Sequence, residues 1–362
     1  MKLKPEITVL MCVYNTNKNW LLESIKSILT QSYTDFEFII VLDGPTDGCE
    51  KIVYDYAEKD SRIIIIENQT NLGLTKSLNI GLAHSQGKFI ARMDADDIAL
   101  QNRLDKQYKF MIENEDVDVV GTYVATFGNG VITSGMNFFS DDVEREKIRL
   151  LFANAGIAHP TAFIRKSFLD DKHIRYDENI RKSQDYALWV DVIKAKGKIA
   201  LLEDVLLLYR ESADQISKKC SREQNDYHKQ IIKNQLDAIL HTTENEFHVH
   251  CELYDMKCTY PVREYQNYIR KLIAENKNKE VYDKQLFEEE VYAIWIRAVL
   301  LALTQYKGIS FFFSMLFWKA ILKWRPLKLF VTNVRKNQFY ENKAKECSEL
   351  IKLIPSCCKS GG

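Results

Sequence analysis

The sequence predicts an α/β fold, a mostly parallel sheet flanked by helices, with a helical C-terminal extension. Three observations predict it. Short runs of branched apolar residues alternate with helix-spaced segments through the first half of the chain. Those runs are apolar on both faces, so both faces need cover, as in a parallel sheet under helices. From about Ser217 the alternation stops and long charged or apolar helical stretches follow, almost without glycine.

The elements follow in order. Ile7–Tyr14 is a buried-strand run, and Trp20–Thr30 is a helix with Leu21, Ile25, Ile28 and Leu29 on one face. Phe36–Leu42 is the next strand, closed by a turn at Asp43-Gly44-Pro45. A helix around Ile52–Ala57 leads to a strand at Arg62–Ile66, a helix at Leu74–Ala83 and a strand at Lys88–Met93. Beyond Asn114 the pattern loosens: strand at Asp118–Phe127, helix at Asp142–Phe152, short strand at Thr161–Ile164. Gln184–Lys196 is an amphipathic helix, and Lys198–Leu202 and Val205–Tyr209 read as two strands. The expected division is therefore a sheet-bearing domain at 1–217 and a helical region at 218–362.

The 362 residues are 46% hydrophobic, enough to bury a core. Lysine plus arginine total 50 and aspartate plus glutamate total 50, so no bulk charge favours nucleic acid as a partner. The 8 cysteines contain no Cys-x-x-Cys pair, which fits a reducing compartment and excludes zinc by the usual spacing. Met1–Glu6 lacks the apolar stretch of a signal peptide, so a cytoplasmic location is expected.

In parallel sheets ligands bind beyond the carboxyl ends of the strands. There the run Phe89–Met93 opens directly into Asp94-Ala95-Asp96-Asp97. Like charges so close raise one another's pKa, a cost that a divalent cation removes. Hard oxygen ligands of this kind suit Mg2+ or Mn2+ bridging to a diphosphate. A solvated acidic turn, or the cap of a helix over Ile98–Gln107, explains this motif alone equally well. Asp43-Gly44-Pro45-Thr46-Asp47 and Asn71-Leu72-Gly73 are turns on the same side, where Gly73 permits close backbone approach. Asp185 opens the amphipathic helix and is either a helix-terminus charge or a general base. His159, before Pro160, reads as a packed loop residue rather than a ligand.

Taken together and in order, these motifs, with Val9–Asn15, Arg92 and Tyr209-Arg210, resemble the family-2 glycosyltransferases of the GT-A fold. The likeness is strongest to bacterial enzymes that build lipopolysaccharide, capsule or exopolysaccharide, and it covers about Glu6 to Ser217. It implies a Rossmann-like GT-A sheet and a sugar moved from a nucleotide donor, a UDP-sugar being expected, to a hydroxyl of a glycan or lipid-linked acceptor. It implies that Tyr14, Asp43, Asn71, Gly73 and Asp94 line the nucleotide site. Asp94 and Asp96 match the family's Asp-x-Asp metal motif, and Asp185 matches its catalytic base. A single displacement assisted by that base inverts the anomeric configuration. Leu42 stands where the family commonly has aspartate, and Gln184 where it often has an acid. Arg210 with Gln215 resembles the segment that closes over the site.

Two other classes compete. A sugar-phosphate nucleotidylyltransferase needs a glycine-rich phosphate loop after the first strand, where Asn15-Thr16-Asn17-Lys18 has no glycine. A non-catalytic nucleotide-sugar-binding protein would not need Asp94, Asp96 and Asp185 together. The C-terminal region carries an apolar aromatic segment, Phe311–Trp324, overlapping basic residues from Lys319 to Lys345. Lys307 and Gly308 argue against a spanning helix, so a buried helix or a peripheral contact with the inner membrane face is the expectation there.

Overall fold

The computed structural model describes residues 4–128, 131–135, 142–154, 157–211, 221–255 and 259–304. The segment 311–345 expected to contact a membrane lies outside them, as does Gln215. Among the described residues no helix is long and apolar enough to cross a membrane. The described residues divide into two compact units: those up to 135 with 157–224, and those at 142–154 with 225–304.

The first unit is built on a nine-stranded sheet among the described residues, in the order β3-β2-β1-β4-β8-β6-β9-β5, with β7 paired to β6. Its parallel part is β1 (Ile7–Val13), β2 (Phe36–Asp43), β3 (Ile63–Asn68) and β4 (Phe89–Met93). All eight residues of β2 are buried, as a two-faced strand demands. Helix α1 (Lys18–Leu29) seats Leu21, Ile25 and Ile28, each fully buried, and Asn17 caps it through the N–H groups of Asn19 and Trp20. Helices α2 (Glu50–Ala57) and α3 (Leu74–His84) connect the parallel strands.

Beyond β4 the sheet changes direction. A two-residue β5 (Ile98–Ala99) pairs antiparallel with β9, and helix α4 (Arg103–Glu113) starts later than the Ile98–Gln107 alternative. Strand β6 (Val119–Gly128) carries the hairpin partner β7 (Val131–Gly135). A 3-10 turn at His159–Thr161 leads into β8 (Phe163–Arg165), antiparallel to β4 and β6. After α6 (Lys166–Asp171) and α7 (Gln184–Lys194) comes β9 (Ile199–Arg210). The two strands expected at 198–209 are one. Its register against β6 slips on both sides of Tyr123, so Glu203-Asp204 bulges without breaking the strand.

The second unit contains α5 (Val143–Arg149), α8 (Ser221–Leu236) from residue 225 on, α9 (Glu244–Asp255), α10 (Val262–Lys279) and α11 (Lys284–Thr304). The boundary thus falls at 224/225 against an expected 217/218, and α5 joins the C-terminal helices across the intervening strands. Ile148 of α5 is fully buried, while Arg145 pairs with Glu289 and Glu290, and Arg149 with Glu146 and Glu290. The three glutamate side chains are at most 7% exposed, and a buried carboxylate needs such partners.

Candidate active site

The register pairs Val13 with Leu42 and Met11 with Met93, so the loops after β1, β2 and β4 leave the sheet along one edge. Strand β1 lies between β2 and β4, where the chain's winding reverses, the usual position of a ligand crevice in such sheets.

Asp43 ends β2 at 3% exposure. Its Oδ1 accepts from Asn68 Nδ2 and from the backbone N–H of Leu72, both at 2.8 Å, and its Oδ2 from the N–H of Gly73 at 2.9 Å. The carboxylate therefore fastens the Asn71–Gly73 loop to the end of the sheet. Gly44 has φ +59°, and a Cβ there would lie 2.5 Å from the carbonyl carbon of Thr70. Gly73 caps α3 at φ +92°. Across the crevice Asn15, at φ 45°, donates from Nδ2 to Thr46 Oγ1 and accepts the Thr46 N–H at 2.8 Å, tying the first two loops together. Asn17 caps α1 through the N–H groups of Asn19 and Trp20. Tyr14, in the loop after β1, is 46% exposed.

The acidic loop is held from several sides. Ser24 Oγ on α1 donates to the Asp94 carbonyl at 2.7 Å. Arg92, almost wholly buried, is ion-paired with Asp94. Beneath it Arg103 is fully buried and donates from Nη2 to the Arg92 carbonyl at 2.7 Å. Burial and the neighbouring Arg92 pull the Arg103 guanidinium down to about 9. One oxygen from each of Asp94, Asp96 and Asp97 lies within 4.8 Å of the others. Burial, then the Asp94 charge, pushes Asp96 up to about 6, and the same causes with Asp96 raise Asp97 well above the carboxylate range. Asp97 Oδ1 accepts the Arg210 N–H at 2.8 Å, whereas its buried Oδ2 has no hydrogen-bond partner.

This donor set fits a hard divalent cation: several carboxylate oxygens, one of them buried and unpartnered, on a loop with mutual repulsion to relieve. Asp47, Cys49 and Glu50 also approach one another, but an Asp47 oxygen is engaged by the Cys49 N–H at 3.0 Å and a thiol is a poor ligand for such an ion.

Asp185 stands in the first turn of α7, after Ser183 at φ 60°. Its charge and that of Asp94 both act on the buried phenol of Tyr176, whose pKa is raised mainly by burial. Tyr176 is fixed at its hydroxyl by His159 Nε2, 2.8 Å away, and at its backbone by Asn79 of α3. Thr75 of α3 donates to the Ile180 carbonyl, so the helix that begins at Gly73 also carries the segment leading to Asp185. Burial, then Arg92, holds His159 well below the usual imidazole range, in keeping with a packed, neutral residue.

The structure thus gathers Asp94 and Asp96 at one point and Asp43, Asn71 and Gly73 at another. Asp97 and Arg92, which the sequence placed in the acidic motif without a role of their own, belong to the first cluster. Arg103, Asn68 and Tyr176 join these clusters with no local signal in the sequence.

A family model described as "Glycosyl transferase family 2" matches residues 8–173. An uncharacterized glycosyltransferase of Methanocaldococcus jannaschii is 40% identical over 210 residues, 57% of this chain and 71% of that protein. Glycosyltransferase GlyG of Streptococcus pneumoniae is 29% identical over 219 residues, 58% of this chain and 72% of its own. Among solved structures, S. aureus TarS residues 1–349 in complex with UDP-GlcNAc superposes with TM-score 0.55 at 19% identity, covering 84% of this chain and 88% of that one. The match spans 53% of the longer TarS chain. The likeness is one of fold, of the GT-A type.

Proposed function

This chain belongs to glycosyl transferase family 2, and from that premise we propose that it transfers a sugar from a nucleoside-diphosphate donor to a hydroxyl of a glycan or lipid-linked acceptor. The product would be part of a surface polysaccharide. The observation that carries the proposal is the cluster of Asp94, Asp96 and Asp97 at the end of β4, beside the reversal of the sheet, with a buried unpartnered oxygen on Asp97.

In this reading Asp96 and Asp97 hold Mg2+ or Mn2+, and Asp94, braced by Arg92, completes the site. The bound ion supplies electrostatic stabilisation to the departing diphosphate. Tyr14 and the Asn71–Gly73 loop, set by Asp43, receive the nucleotide. A uridine nucleotide is the donor to try first, because TarS, of the same fold, is described in complex with UDP-GlcNAc. Asp185 accepts the proton of the attacking hydroxyl. One displacement then inverts the anomeric carbon. The chemistry is assigned to residues 1–217. Nucleotide-sugar and acceptor binding both belong there, and in the helical region 218–362 the basic, aromatic stretch within 311–345 meets an anionic membrane surface when the acceptor is lipid-linked.

The test is a donor panel, UDP-GlcNAc included, reading released nucleoside diphosphate in the presence of candidate acceptors. Release that stops with chelator, returns with Mn2+ or Mg2+ and is lost in Asp96→Ala is expected. Undiminished release in chelator would overturn the metal role, and no release from any donor would overturn the transferase reading of this chain.

A further inference from the structure

Arg210 is the last residue of β9, and three parts of the first unit converge on it. Its backbone N–H donates to Asp97 Oδ1 at 2.8 Å, and its Nε donates to the backbone carbonyl of Asp96 at 2.7 Å. Its Nη2 donates to Glu23 Oε2 on α1, and both side chains of that ion pair are nearly buried, at 11% and 12% exposure. The guanidinium carbon lies 5.2 Å from the Trp20 ring centre and 4.5 Å from that of Phe127, so aromatic rings attend the cation.

The choice of acceptor matters. Arg210 binds the carbonyl of Asp96, not its carboxylate, so it fixes the loop while leaving the Asp96 carboxylate for a ligand. Helix α1 holds the same loop directly through Ser24 at Asp94 and indirectly through Glu23 and Arg210 at Asp96. A planar, stacked guanidinium with contacts in fixed directions is a rigid spacer, which lysine cannot reproduce.

We propose that Arg210 is a positioning residue that sets the acidic loop for its cation, and that Glu23 holds Arg210 in place. The inference rests on the reading of Asp96 as a cation ligand.

The experiment is a titration of the full chain with Mn2+ in the presence of UDP, free Mn2+ being read by electron paramagnetic resonance. Wild type, Glu23→Gln, Arg210→Lys and Asp96→Asn are compared, with thermal unfolding of each. Outer partners of metal ligands commonly contribute 10–100-fold to metal affinity, so Glu23→Gln and Arg210→Lys should weaken Mn2+ binding about 10-fold at a temperature where the unfolding curves show each variant fully folded. In turnover the half-saturating Mn2+ concentration should rise by a similar factor while kcat falls less, a split that mere loss of folded protein does not produce. Mn2+ affinity equal to wild type in both variants, with binding lost in Asp96→Asn, overturns the proposal and leaves the site reading standing. Weakening in Arg210→Lys alone overturns the part given to Glu23. Failure of wild type to bind Mn2+, or binding indifferent to Asp96→Asn, overturns the site reading and this proposal with it.

Discussion

Asp43 Oδ2 accepts the backbone N–H of Gly73 at 2.9 Å although thirty residues separate them. The same carboxylate takes the Leu72 N–H and the Asn68 amide on its other oxygen. Asn in its place offers one acceptor oxygen and turns an NH2 toward the donors. Asp43→Asn should therefore cost about 2 kcal/mol of stability, the scale of a charge-assisted hydrogen bond lost in a buried site. It should also weaken UDP binding about tenfold, because the Asn71–Gly73 loop loses its anchor. Urea unfolding and calorimetry with UDP measure the two effects, and wild-type values in both would remove the anchoring role.

Gly44 and Gly73 both have positive φ, but only Gly44 is crowded. A Cβ on Gly44 would lie 2.5–2.8 Å from backbone atoms of Thr70 and Asn71, whereas one on Gly73 would meet nothing within 4 Å. Gly73→Ala should cost about 1–3 kcal/mol from backbone strain alone. Gly44→Ala adds steric displacement of the neighbouring loop and should cost more. Equilibrium unfolding ranks the pair, and the reverse order would contradict the geometry.

Asp185→Asn preserves size at the first turn of α7 and removes the basic oxygen. UDP binding should survive while sugar transfer falls about 100-fold or more. The wild-type product should carry the anomeric configuration opposite to the donor's, as read by nuclear magnetic resonance. Near-normal transfer by the variant would reduce Asp185 to a helix-terminus charge, and retention in the product would exclude single displacement.

His250, in the second unit, titrates in a useful window. Its Nε2 donates to the Leu151 carbonyl at 2.8 Å, so Nδ1 accepts from the Tyr268 hydroxyl at 2.7 Å and the ring is neutral. Burial lowers its pKa from 6.5 to about 4. The unfolded chain therefore takes up a proton before the folded one does. Stability is complete above about pH 6.5 and is lost as pH falls toward 4. Between pH 7 and pH 5 this group should remove about 2 kcal/mol. The difference in unfolding free energy between wild type and His250→Gln, measured at both pH values, isolates it. A pH-independent difference would contradict the neutral, buried assignment.

Local pattern determined much of this protein. The two-faced apolar runs of β1, β2 and β4 and the one-sided stripe of α1 are properties of consecutive residues, and each formed close to where the spacing put it. The Asp94 and Asp96 pair was legible for the same reason, since a strand's end locates whatever follows it. Tertiary structure decided the rest. Glu37 reads as an interruption in an apolar strand, yet it is buried because Thr8 Oγ1 and the Gln86 N–H reach it from distant segments. Strand β9 survives its Glu203-Asp204 bulge because β6 resumes the pairing beyond it. Helix α5 leaves its neighbours in sequence for the glutamates of α11. Arg210 and Glu23, 187 residues apart, meet only when α1 and β9 flank the same loop. Periodicity reports which face of an element is apolar. Whether a charge is buried, and what it then holds, depends on partners that only the folded chain brings within reach.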